Sequence, residues 1–473
     1  MTTSLARAVH TADDQGRIRA EALGSAAFRT EHNVRYAYVA GSMYKAVASE
    51  EMVIRMGRAG LLAYFGTGGL RADRVVDAIR RFQREIGDGP YGLNLLASHE
   101  NQAKEQEQVR LFLAHRVRRV EAASFIVPTR PLVQYRISGL RRAPDGSVHV
   151  PNRVMAKVSR PEVARYFLEP PPRALVGELL ADGAVTAEEA ALAERITLAD
   201  DLCAEADSGG HTDQRQLVVL LPDMVRQRDR AARDFPPAAA VRVGAAGGLG
   251  VPEAVAAAFV LGADFALTGS VNQCTAECGT SDRVKDMLQQ AEVQDMAVVP
   301  AGDMLETGAR AQVLRRGLFY PARANKLYEL YRRYDSIDDL DDHTAEQLQR
   351  RYFRRTFDQV WQETRAYYAQ ANPESLALAE RDPKHRMLLI FKAYFVQSIR
   401  LAMSGSEENQ VDYQINCGPA LGALNSRLRG TPREDWRNRH VDEIADWLMR
   451  GAADILTDRL ARLTATTSPG SGM

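Results

Sequence analysis

A single rhythm runs through residues 36–270. Short runs of aliphatic and β-branched residues end in glycine or a polar residue, and stretches with helical periodicity separate them. Strands that alternate with helices pair in parallel, because the helix carries the chain back to the same end of the sheet. Eight such runs can be read: 37–41 (AYVAG), 61–65 (LLAYF), 92–96 (GLNLL), 117–122 (VRRVEA), 153–158 (RVMAKV), 201–206 (DLCAEA), 241–246 (VRVGAA) and 265–269 (FALTG). Eight βα units are what a (β/α)8 barrel requires. The expected fold class is therefore α/β, a (β/α)8 TIM barrel with a hairpin insertion, a helical insertion and a C-terminal all-helical domain.

The insertions interrupt the rhythm. Residues 133–151 (VQYRISGLRRAPDGSVHVP) alternate around Pro-Asp-Gly and predict a hairpin in place of much of a barrel helix. Residues 169–196 carry two short helical patterns joined at Asp182-Gly183, with Thr186 capping the second. From about residue 303 strand signals vanish and amphipathic helix takes over, including one long pattern, AEQLQRRYFRRTFDQVWQETRAYYAQA. The expected division is an N-terminal extension at 1–30, the barrel at 31–302, a helical domain at 303–463 and a disordered tail at 464–473.

Composition excludes several classes. Lys+Arg and Asp+Glu are both 61, whereas a dedicated nucleic-acid binder needs a surplus of cations for the phosphates. Four cysteines are too few and too scattered for a disulfide framework, and a reduced cytoplasmic interior is expected. Cys274 and Cys278 lack a second pair or a histidine cluster, so no structural zinc is expected. The apolar run 387–403 is broken by Lys392, Gln397 and Arg400 and reads as a buried helix rather than a membrane span. The N-terminus lacks the apolar core of a signal peptide.

Two glycine-rich stretches carry the strongest chemical signal, VGAAGGLG (243–250) and LGADFALTGS (261–270). Each ends a strand and opens a helix, and backbone N–H groups at such a turn can approach a phosphate closely. They follow strands seven and eight, where (β/α)8 enzymes commonly bind phosphate. The stretch EADSGGHT (205–212) ends strand six, with His211 on a Gly209-Gly210 hinge. An imidazole at that mouth can give a proton or polarise a carbonyl near neutral pH. Gly41-Ser42-Met43, Gly66 and Asn94 end strands one to three, where glycines admit a flat ring and the amide can meet a heterocycle edge. Lys157 ends strand five; it suits either the anionic edge of a reduced ring or a salt bridge at the barrel mouth.

Taken together, GSM (41–43), GTGG (66–69), GLN (92–94), EADSGGH (205–211), AAGG (245–248) and LGADFALTG (261–269) resemble the FMN-dependent nitronate monooxygenase (2-nitropropane dioxygenase-like) superfamily. GSMYKAVASEEMVIRMGRAGLLAYFGTGGL, VPNRVMAKVSRPEVARYF, EADSGGHTD, RANKLYELYRRYDS and DYQINCGPALGALN resemble its PfaD-type trans-acting enoyl reductase branch, over residues 31–455. The resemblance implies that Gly247, Gly248, Gly269 and Ser270 bind the FMN phosphate. It implies that Met43 and Asn94 lie along the isoalloxazine with Gly41, Ser42, Gly66, Lys157, Glu205, Gly210 and Ala246 around it, and that His211 is the catalytic acid or carbonyl donor. NADPH or NADH would be the co-substrate. An enoyl thioester on an acyl carrier protein of a polyketide or fatty acid synthase would be the acceptor. Three alternatives stay open: a nitronate monooxygenase-like oxidase, a flavin acyl dehydrogenase tailoring a natural product, and a non-catalytic assembly component.

The helical region offers two further features. Arg350, Arg351, Arg354 and Arg355 form i,i+4 pairs of like charge, either a solvated helix face or a docking patch for an acidic carrier protein. Cys417, in DYQINCGPALGALN, is expected to pack rather than react. Oligomeric state stays open, a homodimer being one expectation because large helical additions often make dimer contacts. No nucleic-acid or membrane partner is expected.

Overall fold

The computed structural model describes residues 16–98, 102–210 and 212–465. Eight parallel strands close into a barrel: β1 (Tyr38–Ala40), β2 (Leu62–Phe65), β3 (Tyr91–Leu96), β4 (Arg119–Ala123), β5 (Arg153–Val158), β6 (Asp201–Glu205), β7 (Arg242–Ala246) and β8 (Ala266–Thr268). Each expected run falls on one of them, so the TIM-barrel reading holds. Helices alternate with the strands; Glu50–Arg58 is typical, with the Ser49 side chain accepting from Met52 N and two glutamates in its first turn.

Register decides what faces the lumen, because parallel partners at one level share a face of the sheet. Val39 is level with Leu62 and Leu267, Glu121 with Asn94 and Met155, Lys157 with Cys203, and Glu205 with Ala246. Val39, Leu62, Tyr64, Met155, Cys203, Ala246 and Leu267 form one buried cluster inside the barrel. Asn94, Glu121, Lys157 and Glu205 therefore point into the same lumen, one layer nearer its C-terminal mouth or level with that cluster's upper edge.

The opposite end is plugged. The helix Ala26–His32 sets Phe28 against Phe265, ring centroids 4.6 Å apart, and both Phe28 and His32 are buried. His32 Nε2 lies 2.8 Å from Asp201 Oδ2, and Arg242 Nε donates to Asp201 Oδ1 at 2.5 Å. Beside them Asp200 accepts from Arg136 at 2.6 Å and from Arg153 at 3.0 Å. These charges sit at the N-terminal ends of β5 to β7, where the lumen floor would otherwise be open.

The insertions differ from expectation in detail. The stretch at 133–151 starts in a helix, Arg130–Ile137, capped by Thr129; the hairpin (Arg141–Arg142 with Val148–His149) follows that helix and does not replace it. Alternation in VQYRI thus lost to a local cap and a helix with Leu132, Val133, Tyr135 and Ile137 buried. The later insertion forms two helices, Arg173–Ala181 and Ala187–Ala193, and Thr186 and Glu189 exchange both bonds of a capping box.

By contacts the chain divides into two compact units. The first holds the described residues up to Asp207, Gln214–Gly279 and Arg427 onward; the second holds Ser208–Asp213 and Thr280–Ser426. These limits differ from the expected 31–302 and 303–463. The last helix, Val441–Ala465, joins the barrel unit by packing on Pro252–Val260, and Tyr36 Oη donates to Asp446 at 2.7 Å. Helix reaches Ala465, and the rest of the expected tail lies outside the described residues, as do residues 1–15 of the expected extension.

The second unit is built around the helix Pro383–Ser404, 22 residues long. It is long and apolar enough to cross a membrane by those criteria alone, yet Met387, Ile390, Phe391, Tyr394 and Phe395 are buried against Tyr320, Leu327 and Phe353. Strand does not vanish here: Met296–Pro300 and Arg310–Leu314 pair antiparallel, a two-stranded ribbon too short for a sequence period to reveal. The long helical pattern is also cut. A π-helical turn, Leu348–Phe353, ends at Arg354 with φ 56, and Thr356 caps a new helix, Phe357–Ala371. Arg350 and Arg354 accordingly do not share one continuous helix face. Arg350 pairs with Glu346, Arg354 with Asp412 (which Arg323 also engages), and Arg355 with Glu363, so three of the four arginines have carboxylate partners within the unit.

Desolvation raises the carboxyls of Asp200 and Asp201, but Arg136 and Arg153 around the first, and His32 and Arg242 around the second, outweigh it and hold both below the usual range. Depressed folded values mean stabilisation that is complete above about pH 4 and lost as pH falls through them. Asp201→Ala should cost about 3–5 kcal/mol in urea unfolding at neutral pH, since it strips two buried partners of their counter-charge. That deficit should shrink in acid.

Candidate active site

The C-terminal ends of the barrel strands bring polar side chains of the first unit together. Lys157 Nζ lies 2.9 Å from Glu205 Oε1 and 3.3 Å from Glu121 Oε1, with Glu121 fully buried. Burial works against the ammonium, but the two carboxylates outweigh it and hold Lys157 well above the usual lysine range. The second of the two readings of Lys157, a salt bridge at the mouth, is thus present. Burial also pushes the Cys203 thiol up, keeping it protonated beneath this layer.

Glu121 does more than pair with Lys157. Its carboxylate accepts from Ser42 N at 2.9 Å and from Ser42 Oγ at 2.8 Å. Because β2 and β3 separate β1 from β4 around the barrel, these bonds draw the chain leaving β1 across the lumen. Asn94 Nδ2 donates to the Glu121 carbonyl at 3.2 Å, while the Asn94 carbonyl accepts from Thr67 Oγ1 at 2.6 Å. Glu121 is not among the candidates drawn from the sequence. The available signal was a carboxylate inside the apolar run of β4, at a position level with Asn94. Asn272 was missed as well: it is buried, and its Nδ2 donates to Thr268 O and Oγ1, both at 3.0 Å, steadying the end of β8.

The other side of the rim is bare. Two residues past the inward-facing Val39, Tyr64 and Leu267 stand Gly41, Gly66 and Gly269. Strands β8, β1 and β2 thus end in glycine where β3 to β6 present Asn94, Glu121, Lys157 and Glu205. A Cβ on Gly66 would fall 1.7 Å from Met43 O, so the Met43 turn lies directly on it. Leu267 is level with Ala246, which sets the Gly247-Gly248 and Gly269-Ser270 turns on adjacent strands. Gly247 has φ +93 and its Cβ would meet Asp207 O at 2.7 Å, whereas the Cβ positions of Gly248 and Gly269 have nothing within 4 Å. Open space before paired glycine turns fits a phosphate, and a glycine side facing a polar side fits a flat heterocycle.

Twelve of the residues singled out in the sequence share this rim of the first unit: Gly41, Ser42, Met43, Gly66, Asn94, Lys157, Glu205, Ala246, Gly247, Gly248, Gly269 and Ser270. His211 lies outside the described residues. Gly210 falls in the second unit with the rest of Ser208–Asp213 and donates to Ser208 Oγ at 3.3 Å. In that unit Asn416 Nδ2 donates to Gly209 O at 3.2 Å, and a Cβ on Gly209 would stand 2.9 Å from the Cys417 backbone. Cys417 is buried with its Sγ 3.2 Å from Met296 Sδ, so it packs as expected.

Lys157→Met should lower stability by about 3 kcal/mol at pH 7 in urea unfolding, since the buried Glu121 and the partly buried Glu205 lose their shared cation. A raised folded value means that the contribution of the ammonium is full below the unfolded lysine pKa of about 10.4 and is lost only at higher pH.

The profile of the nitronate monooxygenase family matches residues 27–322, and that of the inserted helical domain of [acyl-carrier-protein] S-malonyltransferase matches residues 334–413. The chain is 50% identical over 447 residues to polyketide biosynthesis protein PksE of Bacillus subtilis, covering 94% of this chain and 58% of that protein. It is 43% identical over 413 residues to a component of the polyunsaturated fatty acid synthase of Thraustochytrium, covering 86% of this chain and 28% of that protein. The chain thus spans less than two thirds of the length of these curated relatives. The solved enoyl reductase domain of MlnA from the macrolactin cluster of Bacillus amyloliquefaciens superposes with a TM-score of 0.90 at 40% identity, covering 94% of this chain and all (100%) of that one. FabK from Thermotoga maritima, at TM-score 0.55 and 17% identity over 93% of this chain and 98% of its own, shares the fold.

Proposed function

The chain belongs to the nitronate monooxygenase family, in the branch of the MlnA enoyl reductase domain, and from that premise we propose that it is an FMN-dependent enoyl reductase. It would use NAD(P)H to reduce the α,β-double bond of enoyl thioesters borne by an acyl carrier protein in polyketide or polyunsaturated fatty acid assembly. The observation that carries this reading is the divided rim, glycine backbone on one side and Asn94, Glu121, Lys157 and Glu205 on the other. In this reading Gly247, Gly248, Gly269 and Ser270 hold the phosphate of the cofactor, and Gly41, Met43, Gly66 and Asn94 receive its ring.

When bound, FMN would supply hydride transfer from the nicotinamide to the β-carbon of the thioester. The protein supplies placement and charge. Lys157, kept protonated between its two carboxylates, provides a fixed ammonium hydrogen-bond donor at the rim. Glu121 fixes the Ser42 backbone and with it the turn on which the ring rests. His211 is the proposed donor of the proton to the α-carbon, or of a hydrogen bond to the thioester carbonyl.

A carrier-protein partner is supported by the synthase relatives and by the match of residues 334–413 to an insert from a carrier-protein-using transferase. Three of the four arginines at 350–355 are engaged by carboxylates of their own unit, which weakens the case for a docking role of that patch. The family profile also favours a second reading, an oxidase of nitronates.

Anaerobic stopped-flow separates the two. The purified protein should be yellow, lose its flavin absorbance on mixing with NAD(P)H, and regain it with a crotonyl thioester on a carrier protein. Turnover of a nitronate with O2 and no nicotinamide would select the oxidase instead. His211→Ala should retain bound FMN yet slow enoyl reduction by roughly a hundredfold or more; unchanged turnover would remove His211 from the mechanism.

A further inference from the structure

The turn that follows β1 carries two successive non-glycine residues in the left-handed region, Lys45 at φ 53 and Ala46 at φ 56. Such a conformation persists only where the surroundings over-determine it. On its inner side the turn is knit to the end of β2: Lys45 N donates to Gly68 O at 2.9 Å, and Ala46 N to Gly66 O at 2.8 Å. On its outer side it is held by the segment that follows the short helix after β8. Val47 O accepts from Gly279 N at 3.0 Å and from Cys278 Sγ at 3.2 Å. A Cβ on Gly279 would fall 2.1 Å from Ala46 O, so backbone presses on backbone there. Ser49 Oγ donates to Glu277 O at 2.5 Å.

That outer segment is itself gripped by the start of the last helix. Glu277 Oε1 lies 2.5 Å from His440 Nδ1 and 3.3 Å from Arg55 Nη1, while its Oε2 accepts from Val441 N at 3.1 Å. Ala276 N donates to Arg439 O at 2.8 Å. Arg55 closes the loop: it belongs to the helix Glu50–Arg58 that the turn leads into, and its Nε donates to Asp442 Oδ1 at 2.5 Å. One carboxylate therefore joins the residues before the last helix, the segment 274–279 and the helix leaving the strained turn.

We propose that Glu277 and His440 are positioning residues for the flavin platform, holding the Met43–Ala48 turn in its left-handed conformation from the far end of the sequence. The last helix is thereby a working part of the barrel site and not merely a cover for its outer wall. The inference rests on the reading of Gly41, Met43 and Gly66 as the surface that receives the ring, and it adds the machinery that keeps that surface in place.

The test compares Glu277→Gln, His440→Ala and His440→Gln with the native chain by two measurements. The first is backbone amide exchange over residues 43–48 in the flavin-free protein; the second is the dissociation constant and visible circular dichroism of added FMN. His440 is partly exposed, 32% for its side chain, so its variants should fold even if the Glu277 variant does not. His440→Ala is expected to speed exchange in the turn and raise the FMN dissociation constant about tenfold, with His440→Gln restoring most of both. Unchanged exchange at 43–48, or faster exchange with unaltered FMN affinity and spectrum, would overturn the proposal. A native chain that takes up no FMN would defeat the flavin reading itself, and the proposal with it; the first titration of native protein identifies that case before any variant is compared.

Discussion

Alternation along parallel strands is the constraint on which the rest depends. Once eight strands close, every second residue enters a lumen that admits side chains but little water. Apolar residues fill its middle, from Val39 and Leu62 to Cys203 and Leu267. Each charge in it must bring a partner, because an isolated buried ion is too costly to keep. At the floor Asp201 has His32 and Arg242; at the mouth Lys157 has Glu121 and Glu205. The two clusters differ in use: the floor is sealed by a helix, whereas the mouth faces the glycine ends of β8, β1 and β2.

The mouth is organised by one carboxylate in particular. Glu121 binds Lys157 and, through Ser42, the chain that leaves a strand across the barrel. A single inward side chain thus sets the charge of the site and the path of a loop whose backbone lies on Gly66. The same loop is braced from outside by Gly279 and, behind it, by Glu277 and the last helix. Strain at Lys45 and Ala46 is tolerable because hydrogen bonds from both directions leave the turn no lower state to relax into.

The helical unit follows a different logic. Its core is aromatic, Tyr320, Phe353, Phe391, Tyr394 and Phe395 around one long apolar helix, and the arginines at 350, 354 and 355 are matched by carboxylates of its own. It also takes in Ser208–Asp213, where Asn416 holds the Gly209 carbonyl and the Cys417 backbone leaves no room for a Cβ. The glycine-rich character of SGGHTD and of INCGPALG has this common cause, a close approach of two backbones.

By itself the sequence determined the barrel. Eight apolar runs with helical spacers leave few other topologies, since parallel pairing needs the crossovers and glycine at strand ends marks where backbone is left bare. It likewise marked the Gly247-Gly248 and Gly269-Ser270 turns, because glycine doublets after strands are local signals. Only the tertiary structure decided which polar residues meet. Glu121 reads as an ordinary strand carboxylate until register sets it level with Asn94 and near Lys157. The helical pattern through Arg350–Arg355 reads as continuous until packing turns Arg354 left-handed. The last helix belongs to the barrel although more than a hundred residues of helical unit precede it. Periodicity records which face of an element is apolar; it holds no record of which distant segment covers that face, and contacts separated by 160 to 440 residues, such as Glu277 with His440 and Arg17 with Asp454, are set only by how the last helix docks on the barrel unit.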